Sequence, residues 1–170
     1  SGNSFDNFTY GLILYSGASD VTVTGNTFSN AQAGATTDLN LGWAMQASAS
    51  DVTENYKRLV FSNNTLINCS GVRVDRCTNV AVCHNILETT TISNRCLIQF
   101  ASLLSNNVQV SGNLFKTSIS TNTSSQSYVI INGSNLFVTN NSLISTTAAP
   151  NLGAAIANTS GATITESIIE

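Results

Sequence analysis

The sequence has little charge, one proline and one histidine, and each scarcity narrows what the chain can be. Charged residues make up 9% of the chain, against about 25% in ordinary globular proteins. Low charge and a lone proline argue against disorder, which draws on charge and proline and is poor in β-branched residues. Six Lys and Arg, with no basic stripe, set aside nucleic-acid binding, which needs clustered cations. No apolar run approaches the ~18 residues of a membrane-spanning helix, so no membrane insertion is expected. Acidic residues do not cluster as a calcium site requires.

The four cysteines, Cys69, Cys77, Cys83 and Cys96, are spaced by 8, 6 and 13. That fits no zinc pattern and contains no C-x-x-C. The histidine, His84, adjoins Cys83. The expectation is buried free thiols in a chain folded in a reducing cytoplasm, with no metal and no cofactor. No helix caps and no sustained helical period are present. No starting Met precedes the first residues, which already fall inside a repeat. A segment of a longer chain is therefore expected.

Apolar residues reach 42%, enough for a folded core, and Asn, Ser and Thr together make up about 39% of the chain. The surface should be polar but nearly uncharged, rich in groups that hydrogen-bond to sugars. The seven N-x-S/T sequons are what such a composition produces by chance, and they are not read as glycosylation.

One line recurs. VTVTGNTF at 21, LVFSNNTL at 59, VAVCHNIL at 80, VQVSGNLF at 108 and LFVTNNSL at 136 share one pattern. Aligning them gives Asn26, Asn64, Asn85, Asn113 and Asn141. GNSF adds Asn3, and ATITESII places Ser167 in the same slot, with intervals of 23, 38, 21, 28, 28 and 26. An apolar pair precedes each mark after the first, and an apolar residue follows each two positions on. A second apolar stretch lies upstream of each pair: GLILYS, GWAMQAS, GVRVDR, CLIQFAS, SYVIING and GAAIANT. Alternation with period two predicts strands. Units this short cannot each bury their own face, so they stack. Asn tolerates left-handed backbone geometry and is expected at the bend, its amides forming a ladder from unit to unit. At ~4.8 Å per unit, six intervals give a rod of roughly 29 Å.

The V-x-V-x-x-N-x-F line with unequal loops resembles the right-handed parallel β-helix of the pectate-lyase-like superfamily. The Ser/Thr/Asn-rich, charge-poor version is most similar to bacteriophage tailspikes and capsule depolymerases. The resemblance covers nearly the whole chain and carries no conspicuous catalytic motif. It implies an all-β fold: a single parallel β-helix domain over 1–170, about six to seven coils, with a long insertion at about 29–58. It also implies a homotrimer on a phage virion, folded in the bacterial cytoplasm, that binds and hydrolyses a bacterial surface polysaccharide. Two alternatives stay open: a non-catalytic glycan-binding or structural fibre module, and a polysaccharide lyase acting on uronates.

Two places stand out for chemistry. The interval from Asn26 to Asn64 holds Asp38, Trp43, Asp51, Glu54, Tyr56, Lys57 and Arg58. A charged, aromatic loop on an uncharged rod is a place to grip a polymer, although a solvated loop or a subunit contact would read the same. Trp43 aligns with the inward Leu12 and is either core or a sugar platform. The second place is GVRVDR. If Val72 and Val74 point in, Arg73 and Asp75 point out. Gln46 and Asn132 are expected in the slot of Asp75, and Gln99 in that of Arg73, a column that could line a glycan groove. An Arg/Asp pair is also a common surface ion pair of small energetic value. Glycoside hydrolysis needs two carboxyl groups roughly 5–9.5 Å apart. Asp75 with Asp51 or Glu54 are the candidates, with Glu88 as a further one. His84 shares its slot with Gly25, Asn63, Gly112 and Asn140 and is expected at a turn, not as a general base.

Overall fold

Short lines of alternating apolar and hydroxyl residues bury one face only by lying against a similar neighbour. The computed structural model of the chain describes residues 1–15, 17–32, 42–47, 55–90, 97–100, 105–118, 129–131, 133–145 and 156–158. It is all-β, with no helix among the described residues. Strands follow one another in triplets. The first is β1 (Ser4–Asp6), β2 (Leu12–Leu14) and β3 (Thr22–Thr24), the second β4 (Thr27–Ser29), β5 (Trp43–Ala47) and β6 (Tyr56–Ser62). Then come β7 (Thr65–Ile67), β8 (Gly71–Val74) and β9 (Cys77–Cys83), followed by β10 (Ile86–Thr89), β11 (Leu97–Phe100) and β12 (Asn106–Ser111). The series continues with β13 (Leu114–Thr117), β14 (Val129–Ile131) and β15 (Ser134–Thr139), then β16 (Ser142–Ser145) and β17 (Ile156–Asn158).

Every third strand pairs, always in parallel. Sheet A runs β1-β4-β7-β10-β13-β16, sheet B β2-β5-β8-β11-β14-β17, and sheet C β3-β6-β9-β12-β15. Three parallel sheets visited in rotation are consistent with a parallel β-helix. The expected insertion does not stay outside this scheme. Within 29–58 lies β5, and Tyr56, Lys57 and Arg58 belong to β6.

Register places like on like. Phe5, Phe28, Leu66, Leu87, Phe115 and Leu143 lie level across sheet A. Val23, Phe61, Val82, Val110 and Val138 do so in sheet C. Leu12, Met45, Val72, Ile98 and Val129 do so in sheet B. These columns meet in one core, where Phe5 and Phe28 stack with ring centroids 4.7 Å apart. Each fully buried Phe or Leu contributes about 2 kcal/mol.

The bends are left-handed, but not at the residue the sequence suggested. The Asn marks are not the positions of positive φ; the residue before each one is. Gly25, Asn63, His84, Gly112 and Asn140 have φ between 54° and 68°. The reason is a division of labour. The preceding residue turns the chain, and the Asn then points inward, where its amide joins the ladder. Asn26, Asn64, Asn85 and Asn113 are nearly inaccessible. A second left-handed column, Asp20, Arg58, Asn79, Asn107 and Asn135, stands just before the apolar pairs of sheet C. His84 is thus a turn residue, as expected.

Candidate functional site

The outer face of sheet B is where polar side chains of unlike chemistry line up. Register places Ile13, Gln46, Arg73, Gln99 and Ile130 level on successive strands. Neighbouring members are therefore about 4.8 Å apart. Gln99 stands level with Arg73, as expected, but so does Gln46, which the sequence placed level with Asp75. A bulge between Trp43 and Met45 shifts the pairing of β5 with β8. The bulged backbone also comes close to β2: a Cβ on Gly11 would lie 2.5 Å from Ala44 O, which is why glycine occupies that position.

Arg73 and Asp75 flank the inward Val74. The guanidinium donates Nε–H to Asp75 Oδ1 at 3.4 Å and Nη2–H to Oδ2 at 3.3 Å. The two side chains are 20% and 13% accessible, so the pair is more sheltered than an ordinary surface ion pair. Asp75 is further fixed by its backbone N–H, which donates to Ala47 O at 2.9 Å. An arginine held this way presents its remaining N–H donors in a fixed plane. The glutamine on one side, Gln46, is only 6% accessible.

The aromatic residues of the expected grip go elsewhere. Tyr56 stands level with Cys77 in the core, fully buried, and its hydroxyl donates to Leu14 O at 3.2 Å. It therefore presents no surface to a substrate. Trp43 is 7% accessible and stands level with Gly71, not with Leu12. Tyr10 and Tyr15, 52% and 72% accessible, instead flank β2 at the edge of sheet B. Aromatics bracketing a short strand were a readable signal for them. Their rings offer an apolar face and a polar tip.

Asp51, Glu54, Asp38 and Asn132 lie outside the described residues. Four carboxylates are described: Asp6, Asp20, Asp75 and Glu88. Asp6 and Glu88 stand in sheet A three strands apart, a separation of roughly 14 Å. Asp6 accepts from Ser29 Oγ at 2.6 Å and Asn30 Nδ2 at 2.9 Å, and these bonds hold its carboxyl below its ordinary pKa. Asp20 is held down likewise by Arg58, which grips both its oxygens at 2.5 Å. Glu88 is level with Lys116. No three His, Cys, Asp or Glu side chains gather as a metal site among the described residues. The chain as a whole matches no family model, no curated protein and no solved structure.

Proposed function

We propose that the chain is a right-handed parallel β-helix of about six to seven coils, of the pectate-lyase-like kind. We read it as part of a bacteriophage tailspike that recognises and hydrolyses a bacterial capsule or O-antigen polysaccharide. The observation that carries this reading is the pair of level polar side chains Arg73 and Gln99, with Asp75 beside Arg73, on the outer face of sheet B. Amide and guanidinium groups repeated at strand spacing suit the hydroxyl and acetamido groups of an extended polymer, and the exposed Tyr10 and Tyr15 offer surfaces for sugar rings. Asp75 with Asp51 or Glu54 remains the proposed catalytic pair. Trimer formation on the virion belongs to the same reading.

A second reading, a glycan-binding module without hydrolysis, is favoured by one observation. Of the described carboxylates, Asp20 and Asp75 are each engaged by an arginine, and Asp6 and Glu88 are too far apart for either hydrolytic geometry. Incubation with a panel of capsular and O-antigen polysaccharides separates the readings. Polymer shortening with new saturated reducing ends supports hydrolysis, and unsaturated ends absorbing in the ultraviolet mean a lyase. Retention without shortening leaves binding only. If no polymer is retained or cut, the carbohydrate reading fails. Where one is retained, Arg73→Ala should weaken retention about tenfold, the loss of one charge-assisted hydrogen-bonding group.

A further inference from the structure

The outer face of sheet A is built from two columns that flank an inward one. In β7, β10, β13 and β16 the inward residues are Leu66, Leu87, Phe115 and Leu143, and strand alternation turns their neighbours outward. Register sets Thr65, Ile86, Leu114 and Ser142 level in one outward column. It sets Ile67, Glu88, Lys116 and Ile144 level in the other. Ile86 and Ile144 are exposed, and Ile67 and Leu114 are half-buried. Both β10 and β13 have a paired strand on each side, so this surface is the broad face of the sheet and not an edge.

Both columns are their own complement about one line, which runs along the strands midway between β10 and β13. A half-turn about that line lays β10 over β13 and β7 over β16. Ile86 then faces Leu114, Ile67 faces Ile144 and Thr65 faces Ser142, so apolar meets apolar and hydroxyl meets hydroxyl. Glu88 faces Lys116, so each charge meets its opposite. A half-turn about a line across the strands lacks this property, because it brings Glu88 against another Glu88 or against Ile86.

We propose that this face is the contact surface for a second copy of the chain, in a two-fold dimer whose axis runs along the strands between β10 and β13. Such an interface uses the same patch on both copies, so every pair is made twice. The two sheets pack face to face at ~10 Å. Ile86 and Leu114 form the apolar centre. The Glu88 and Lys116 pairs beside them fix the register and reject arrangements that set like charges together. The patch is four strands wide, three intervals of ~4.8 Å. That is small beside the ~800 Å² each partner gives to a stable interface, so the dimer is weak and forms as concentration rises. This inference does not rest on the polysaccharide reading, and the trimer of that reading closes through another face.

Sedimentation velocity of the whole chain, from about 10 μM to about 1 mM, reads the association over the range a small interface calls for. The unmodified chain should pass from monomer to dimer. Glu88→Lys opposes a lysine to Lys116 of the other copy, and Lys116→Glu opposes a glutamate to Glu88. Each variant alone should associate about tenfold more weakly. An equimolar mixture of the two variants should regain the dimer, because opposite charges then meet across the interface. The like charges within each chain stay side by side in that mixture, so recovery cannot come from a repaired fold. The proposal is overturned by a chain that stays monomeric at the highest concentration, by single variants that associate as the unmodified chain does, or by a mixture no better than its parts. A trimer untouched by the charge changes overturns it as well, and would leave the polysaccharide reading standing.

Discussion

The His84 ring lies over the backbone of Gly112. A Cβ on Gly112 would sit 2.7 Å from His84 Cδ2, and Gly112 itself has φ of 64°. Both facts reserve the position for glycine. Gly112→Ala should destabilise the chain by about 2 kcal/mol, part left-handed strain and part overpacking. Adding His84→Asn should recover the packing part and leave the backbone part. Urea unfolding of the two single variants and the double variant reads this as a coupling energy. Strict additivity would mean that the ring does not press on the site.

Asn85 occupies the middle of the ladder. Its Oδ1 accepts from Asn64, and its Nδ2 donates to Phe61 O, Cys83 O and Asn113 Oδ1. Asn85→Ala strands several buried groups and should cost about 3 kcal/mol. Asn85→Asp should cost more, because a buried carboxylate would face the carbonyls and the Asn113 oxygen that now receive a donor. Equilibrium denaturation at neutral pH checks the order. A milder Asp variant would show that the donors of this rung are dispensable.

Asp6 and Asp20 bind their protons less readily in the folded chain than in the unfolded one, through Ser29 and Arg58 respectively. Stability from these contacts is present above the unfolded value, near 3.9 for an Asp carboxyl. It is lost as the pH falls through the lowered folded values. The denaturation midpoint should therefore drop below about pH 4, and Asp6→Asn with Asp20→Asn should flatten that limb. An acid limb unchanged in the double variant would place its source elsewhere. The Asp20–Arg58 pair is open to solvent, so its share should shrink in high salt.

Cys69, Cys77 and Cys83 are free thiols. Burial pushes the Cys77 thiol up to about 12, with the Ser105 hydroxyl beside it pulling the other way and Asp75 adding to the rise. Ser105 Oγ is buried and lacks a partner at hydrogen-bond geometry, so it acts on the thiol as a neighbouring dipole only. Cys83 is also raised by burial but lies half-open on sheet C. Since the thiolate is the reactive form, iodoacetamide on the native chain should label Cys83 before Cys77 or Cys69. Peptide mass mapping over a time course checks this, and early labelling of Cys77 would contradict its burial.

The apolar columns were legible because period two leaves little choice of inward face. Phe5, Phe28, Leu66, Leu87, Phe115 and Leu143 could be aligned by eye and are level in space. The ladder was legible for the same reason. The handedness of the bend was assigned to the wrong residue because two adjacent slots recur together, and a recurring letter does not tell a turning backbone from an inward amide. The mixed Gly, Asn and His of the preceding slot carried the better signal. On sheet B, Gln46 was misplaced by two positions: β5 already starts one residue out of step, with Trp43 level with Gly71, and the bulge at Trp43–Met45 adds the second, and neither shift leaves a mark in the letters. Tyr56 read as a grip residue because it follows a charged run, yet strand alternation turns it into the core.

The ladder rungs are separated by 23, 38, 21, 28 and 28 residues, while the rungs themselves meet in nearly the same geometry each time. Chain length between corners is thus uncoupled from the frame that the corners hold. New sequence can be spliced into one corner and leave the strands on either side in step. A lineage built this way can exchange its surface loops wholesale while inheriting the same skeleton, and an engineer can graft a foreign segment between Ser29 and Trp43 on the same terms.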